Sequence, residues 1–229
     1  MTPEELACLF RTEMNDEAKS VSGGYRDAQY PPELLSFYID EAERQASENG
    51  MLLFDRTTAE ICQIQVVAGK SLYTFDDRIL RIDRVDFIIT GQTGRNNINI
   101  NTRQEFDTIQ PDWREKKFSD LYTCFVNETT LELAGEADQA GIIHLEVYRL
   151  PLERASVRGR FELGQRNHRW LMDWVKYLAY NNKDADLYAP QLAEDHKRKF
   201  ERRFGHQKTG DTWRYTQKNE PLRSSYNGA

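Results

Sequence analysis

Apolar and polar positions follow three successive patterns along the chain, and the first pattern is helical. Thr2 can cap a short helix that begins at Pro3, because a hydroxyl just before a proline is typical of a helix start. Apolar residues then recur at helical intervals after Pro31-Pro32, as far as Ala46, and predict a second, longer helix. Asn49-Gly50 is expected to end that helix, since glycine tolerates the left-handed conformation found after many helices.

The second pattern has the two-residue period of β-strands and opens with a Gly-Lys-Ser at residues 69–71. A phosphate-binding loop needs a further glycine five residues before Gly69 and a helix after the serine. Ile64 stands at the first position, and strand-forming residues follow the serine. We therefore interpret Gly69 as the corner of a β-hairpin that joins Ile61–Val67 to Leu72–Phe75.

The strand pattern continues to about Leu150. The alternation changes phase near Asp83-Arg84, which predicts a β-bulge, and Thr102 is placed to cap one short helical turn. The later predicted strands are Leu121–Val126, Thr130–Leu133 and Ile142–Arg149. Five or six strands at hairpin spacing favour a small antiparallel sandwich or barrel.

The third pattern returns to helix, in two segments separated near Asn181-Asn182. Apolar residues of the first segment recur at helical spacing from Trp170, and those of the second run from Leu192 to Phe204. Asp186 is a candidate N-cap for the second segment. Gly205 lies where a helix-ending glycine belongs.

The residues after Gly205 are polar and lack periodicity, yet they carry large apolar side chains. These side chains are Trp213, Tyr215, Leu222 and Tyr226. An isolated disordered tail is usually poor in aromatic residues, so we interpret residues 206–229 as an extended arm that becomes ordered on a partner.

Together these patterns predict an α+β protein with an inserted module. Residues 1–58 and 151–205 are expected to form one helical bundle, since no single apolar stripe among them can form a core alone. Residues 59–150 form the inserted β module, and residues 206–229 form the arm.

Composition and charge add an electrostatic asymmetry. The chain has 229 residues, of which 39% are hydrophobic and 30% charged, and it has no apolar run long enough to cross a bilayer. Its three scattered cysteines suit a reducing compartment, so a soluble cytoplasmic protein is expected. The net charge of −6 divides into −12 for residues 1–150 and +6 for residues 151–229. This asymmetry indicates two electrostatic environments, head-to-tail contact between copies, or simply a solvated basic helix.

Candidate chemistry is sparse. The four histidines and three cysteines lack metal-ligand spacing, and neither a nucleophile elbow nor a zinc-protease motif is present. The aspartates and arginines between residues 76 and 86 alternate as in a surface ion-pair lattice. His196 shares a helical stripe with apolar residues, which is typical of a packed histidine. No catalytic, cofactor or metal residue is therefore predicted, and the protein is not expected to be an enzyme.

One helical segment carries a concentrated basic face. Its members are Lys197, Arg198, Lys199, Arg202 and Arg203. Such a face is either simply solvated or contacts a neighbouring subunit, an acidic partner protein or DNA phosphate. No nucleic-acid-binding motif surrounds it.

Five phrases, in their order and spacing, resemble one known family. They are YPPELLSFYIDEAERQA, QIQVVAGKSLYTFDDRILRIDRVDF, PDWRE, LEVYRLPLE and HRWLMDWVKYLAYNNKDADLYAPQLAEDHKRKFERRFG. The chain thereby resembles, over about residues 1–205, the head-to-tail adaptor (connector, or neck ring) proteins of tailed bacteriophages. An Ile-Pro expected shortly before the third helix is replaced by Gly164-Gln165, which leaves the start of that helix open.

The resemblance implies a structural role in the neck of the virion, with synthesis in the cytoplasm of the bacterial host. It implies a ring of about twelve copies between the portal ring and the tail. It further implies an arm that docks on the portal and a lumen through which genomic DNA passes without sequence-specific binding. The portal ring, tail or nozzle proteins and other copies of the chain would be partners, with no cofactor and no membrane. The alternative is a tail-side nozzle or tail-completion protein that docks on an adaptor ring.

Overall fold

The computed structural model describes residues 1–16, 29–183 and 188–206. Among these residues the chain forms two compact units. The helical unit comprises residues 1–53 and 149–206, and the strand unit comprises residues 54–148. The candidate cap Asp186 and the four apolar arm residues lie outside the described residues.

In chain order, the helices are α1 (Pro3–Met14), α2 (Pro32–Gly50), α3 (Ala59–Cys62), α4 (Arg103–Ile109), α5 (Phe118–Leu121), α6 (Ala155–Arg158), α7 (Gln165–His168), α8 (Leu171–Tyr180) and α9 (Pro190–Phe204), with a 3-10 turn at Trp113–Glu115. The strands are β1 (Phe54–Asp55), β2 (Gln63–Val66), β3 (Leu72–Thr74), β4 (Ile79–Ile89), β5 (Asn96–Ile100), β6 (Thr123–Val126), β7 (Thr130–Leu133) and β8 (Gly141–Arg149). This mixture confirms the predicted α+β class.

The ends of the long helices follow their capping residues closely. The hydroxyl of Thr2 accepts a hydrogen bond from the Glu5 N–H at 3.2 Å, which confirms the predicted cap of α1. Helix α2 ends one residue later than expected, because Met51 rather than the preceding glycine adopts the left-handed conformation, at φ 47°. Gly205 has a φ of 92° and ends α9, as predicted.

Helix α2 supplies the centre of the helical unit's core. Its residues Leu35, Ile39, Ala42 and Ala46 are almost fully buried, and α1, α6, α8 and α9 all pack against it. Helices α8 and α9 pack against each other. Trp170, placed by its spacing on the buried stripe of the first segment, is instead 45% exposed and immediately precedes α8.

The strand unit contains one curled eight-stranded sheet, ordered β1-β8-β4-β5-β6-β7-β3, with β2 also paired to β8. The expected all-antiparallel arrangement is wrong between β5 and β6, which run parallel. Alternation along β8 is confirmed, since Ile143, Leu145 and Val147 are all buried. Ile82 and Val85 are both buried although they are an odd number of residues apart. The buried side of β4 therefore switches from even-numbered to odd-numbered residues between them, near the predicted shift at Asp83-Arg84.

The predicted hairpin at Gly69 is wrong. Strand β2 pairs with β8, whereas β3 pairs with β7, so the two strands beside this turn have different partners. Gly69 nevertheless marks a turn with a φ of 80°, and its N–H donates to the Ala137 carbonyl at 2.7 Å. The turn at Gly69 therefore carries the chain from β2, which pairs with β8, to β3, which pairs with β7.

Two predicted strands begin too early. Ile61 and Cys62 belong to the short helix α3, and the strand starts only at Gln63. Leu121 ends helix α5, and the left-handed Tyr122 (φ 42°) separates this helix from β6. In both cases a short helical turn with apolar residues precedes the strand, and its residues were counted as part of the strand.

Candidate interaction surface

The described part of the chain contains no cluster of side chains that could hold a metal ion, and its buried Cys124 is not a reactive nucleophile. No three His, Cys, Asp or Glu side chains of these residues come together so that they could hold a metal ion. Nor does any described helix combine the length and apolar character needed to span a bilayer. Burial raises the pKa of the Cys124 thiol to about 12, which keeps it protonated and unreactive near neutral pH.

The alternating acids and bases of β4 form local ion pairs, as predicted. The Arg81 guanidinium lies 3.1 Å from the Asp83 carboxylate, and Arg84 lies 3.0 Å from Asp86. Just before the strand, Arg78 and Asp76 form a similar pair at 2.6 Å. The Arg81–Asp83 and Arg78–Asp76 pairs are partly exposed and contribute little to stability. The Asp86 side chain is only 4% exposed, so the prediction of a surface lattice is wrong at that residue.

The five basic residues of α9 do not act as one face. The Lys197 ammonium lies 5.9 Å from the centre of the Tyr177 ring, at the contact with α8. Arg198 forms an ion pair with Asp195 on the exposed side of the same helix. These two cations are therefore engaged within the helical unit.

The other three basic residues of α9 lie on its exposed arc. Neither Lys199 nor Arg202 forms an ion pair with any described residue, and both are exposed. Arg203 donates to the amide oxygen of Asn167 at 3.0 Å, and its guanidinium lies 5.8 Å from the centre of the Trp170 ring. The end of α9 is thereby held against α7 and the start of α8.

This junction brings basic residues together from two parts of the sequence. Arg203 contacts Asn167 and Trp170. Arg166 directly precedes the first and Arg169 the second, and both arginines are exposed. We call Arg166, Arg169, Trp170, Arg202 and Arg203 the arginine–tryptophan patch. Sequence reasoning missed Arg166 and Arg169. The signal that could have identified them is their i, i+3 spacing just before Trp170.

His196 is held between two helices. Its Nδ1 lies 2.8 Å from the Asp173 carboxylate, and its ring stacks on that of Tyr180 with an interplanar angle of 17°. This arrangement agrees with the predicted packed histidine. It fastens the middle of α9 to the first turn and the last residue of α8.

A buried ionic network fastens the segment after β8 to the central helix. The carboxylate of Glu43, on α2, is 1% exposed and lies 3.2 Å from the Arg158 guanidinium. It also accepts hydrogen bonds from the backbone N–H groups of Glu162 and Leu163. Glu162 in turn pairs with Arg149 at 2.6 Å and with Arg158 at 3.3 Å. Sequence reasoning missed this network, although an acid beside Ala42 on the buried stripe was a signal for it.

The two carboxylates of this network differ in their affinity for protons. Burial raises the pKa of Glu43, and the hydrogen bonds and the Arg158 charge only partly offset that effect. Burial acts in the same direction on Glu162, but hydrogen bonds from Arg149 and the Leu152 N–H, with the nearby arginine charges, outweigh it and lower the pKa. The network is therefore asymmetric, with the weaker acid on α2.

Comparison with known proteins identifies the family. No curated protein matches the chain. Over residues 1–224, however, the chain matches a family model described as SU10 adaptor protein. The match includes both compact units. It confirms the resemblance noted in the sequence, and the chain belongs to the SU10 adaptor protein family, a family of phage head-to-tail adaptors.

Proposed function

We propose that this protein binds the portal ring of a filled phage capsid, connects the head to the tail and extends the DNA exit channel. The observation that carries the proposal is the family match over residues 1–224. The chemistry of the described residues fits such a role, because their charged groups form structural ion pairs and surface patches rather than a catalytic constellation. Structural phage adaptors of this kind act through binding.

The arm is proposed as the segment that reaches the portal. The four apolar side chains at Trp213, Tyr215, Leu222 and Tyr226 would anchor it, since buried aromatic residues dominate many protein interfaces. Helix α9 ends with Phe204 buried and Gly205 at a positive φ of 92°, so the helical unit has its own boundary before the arm. The arm can thus be removed without cutting into the core.

The assembled form is proposed to be a ring of about twelve copies whose lumen carries the genome. The acidic residues 1–150, with a net charge of −12, would suit a channel wall that does not bind duplex phosphates. Tail or nozzle proteins would dock on the side away from the portal.

Deleting residues 206–229 tests this proposal. The shortened chain should keep the thermal unfolding of the full chain but lose co-sedimentation with purified portal rings. A full-length variant with serine at the four apolar arm positions is the matched control for chain length, and it should also fail to bind. Retained portal binding by both variants would show that the arm is not the segment that binds the portal. If the full chain bound purified tail proteins and ignored portal rings, a tail-side role would replace the proposed one.

A further inference from the structure

Most described arginines are paired with carboxylates, but the four arginines of the arginine–tryptophan patch are not, and neither are Arg56, Arg154 and Arg160. Arg166, Arg169, Arg202 and Arg203 form no ion pair with any described residue, and all four are exposed. Trp170 follows Arg169 directly, lies 5.8 Å from the Arg203 guanidinium and has 45% of its surface exposed. Arginine and tryptophan are the residue types most enriched at energetically important positions of protein interfaces. An exposed indole beside the Arg203 guanidinium, with further exposed arginines next to both in sequence, therefore indicates a binding surface for an anionic partner.

Exposed charge outside ion pairs has opposite signs in the two units, although Glu60 and Asp77 also lie close enough to Arg78 to help raise its pKa. The exposed residues without an ion pair to described residues in the helical unit are the bases Arg154, Arg160, Arg166, Arg169, Lys183, Lys199, Arg202 and Arg203 and the acids Glu4, Glu33, Glu153 and Glu194. Those in the strand unit are the acids Glu60, Asp77, Glu115, Asp120, Glu128, Glu136 and Asp138 and the bases Arg56, Lys70 and Lys117. The helical unit thus presents an excess of cations and the strand unit an excess of carboxylates.

We propose that the arginine–tryptophan patch of one copy binds the carboxylate-rich surface of the strand unit of a second copy. The contact is heterologous, because two different surfaces of the same chain meet, and heterologous contacts are the kind that generate closed rings. The inference rests on the proposed function only in that an adaptor ring needs such a contact. It names the surfaces that would form it.

A second copy fits the patch better than duplex DNA does. The carboxylates that would complement the patch are present on the same chain, at a matching excess. The whole chain has a net charge of −6, which opposes the long-range attraction that DNA-binding proteins exert on phosphates. Trp170 adds a large apolar contact of the kind that protein partners bury.

The local contacts of Arg203 also prepare the patch for binding. Its hydrogen bond to Asn167 and its position over the indole hold both side chains in place before any partner arrives. Less side-chain freedom is then lost when the surfaces meet. Arg166, Arg169 and Arg202, next to this fixed pair in sequence, are exposed and provide further donors.

The test is sedimentation velocity of the full chain at low and high salt. The unaltered chain should self-associate at about 50 mM salt and much less at about 500 mM, since screening weakens exposed ion pairs. Arg166→Glu with Arg169→Glu, which leaves the Arg203 contacts to Asn167 and Trp170 in place, should weaken self-association at least about tenfold. Arg154→Glu with Arg160→Glu is the matched control, because it makes the same charge change at exposed, unpaired arginines outside the patch, and it should cost less than about threefold. Circular dichroism melts should be unchanged for both.

A complementary change should restore the contact. Combining the patch variant with Glu60→Arg and Asp77→Arg, or with Glu136→Arg and Asp138→Arg, should recover association in one of the two cases. A chain that stays monomeric at about 100 µM and low salt, or equal losses in the patch and control variants, would overturn the proposal. Patch-dependent binding of a fluorescent DNA duplex without self-association would assign the patch to nucleic acid instead. Portal binding through the arm is measured separately, so a patch variant that fails to self-associate but still binds portal rings leaves the proposed function intact.

Discussion

Glu43 is a buried acid on which three separate contacts converge. Its carboxylate receives the Arg158 guanidinium and the N–H groups of Glu162 and Leu163. These contacts hold the chain that follows β8 onto the middle of α2. Removing one partner of a buried charged pair leaves the other groups unsatisfied, and that loss outweighs the attraction that was removed.

We therefore predict that Glu43→Ala lowers the free energy of unfolding by about 3–5 kcal/mol. Glu43→Gln should lower it less, because the amide oxygen can still accept the backbone hydrogen bonds. Denaturant unfolding at neutral pH measures both. Glu41→Ala, on the same helix but in a more exposed pair with Arg44, is the control and should change the stability by about 1 kcal/mol or less. Equal effects at the two positions would contradict the network.

The two acids of the network predict opposite pH dependences. The pKa of Glu162 is lowered, so its contribution to stability is present above the ordinary value of 4.5 and is lost as the pH falls through the folded-state value. The pKa of Glu43 is raised, so its contribution is fully present below 4.5 and is lost as the pH rises through its folded-state value. The stability difference between the unaltered chain and Glu162→Gln should therefore shrink on acidification. The difference from Glu43→Gln should change in the opposite direction, and parallel slopes for the two variants would contradict this assignment.

At the scale of single elements, two glycines of the strand unit allow the cost of a left-handed backbone to be measured with and without a steric collision. Gly135 and Gly69 both have a positive φ, at 89° and 80°. A Cβ on Gly135 would overlap the Lys116 carbonyl group, whose carbon would lie 3.1 Å away, whereas a Cβ on Gly69 would meet no atom within 4 Å. Only the first position therefore adds a collision to the left-handed backbone.

We predict that Gly69→Ala costs about 1–2 kcal/mol, the usual penalty for a left-handed alanine. Gly135→Ala should cost about 2–5 kcal/mol, because the backbone near Lys116 must also move. Thermal and denaturant unfolding of the full chain measure both changes. A Gly69→Ala variant as unstable as Gly135→Ala would indicate that the turn at Gly69 is packed against something that the described residues do not include.

Elements that depend on near neighbours in sequence could be predicted, and those that depend on distant partners could not. Thr2 and Gly205 mark helix ends through contacts a few residues away, and β8 alternates because one side of the strand is buried. The hairpin at Gly69 failed because β2 and β3 each find a better partner far along the chain. The basic residues of α9 were visible as a cluster. Their neighbours on α7 join them only through the packing of α9 on α8.

At the scale of the whole molecule, the strand unit is an insertion whose ends meet. Phe54 and Tyr148, its first and last residues, are paired across β1 and β8. Next to them, the N–H of Arg149 donates to the carbonyl of Leu53 at 2.9 Å, so the helical unit is also continuous in space across the insertion. A chain whose two ends pair in this way can be cut out and closed with a short connection.

We predict that the helical unit folds without the strand unit when Leu53 is joined to Arg149 through a short Gly-Ser linker. Its buried core, from Leu6 on α1 to Phe204 on α9, lies entirely within residues 1–53 and 149–206. The excised protein should have a helical circular dichroism spectrum and a cooperative thermal transition. It should also lose that transition on Phe200→Ala, a fully buried residue whose truncation costs about 3–5 kcal/mol, while Lys199→Ala on the exposed side leaves it unchanged. An excised protein that shows helicity but no cooperative transition would mean that the helical core requires the insertion to fold. The adaptor would then be built as one cooperative structure from two compact units.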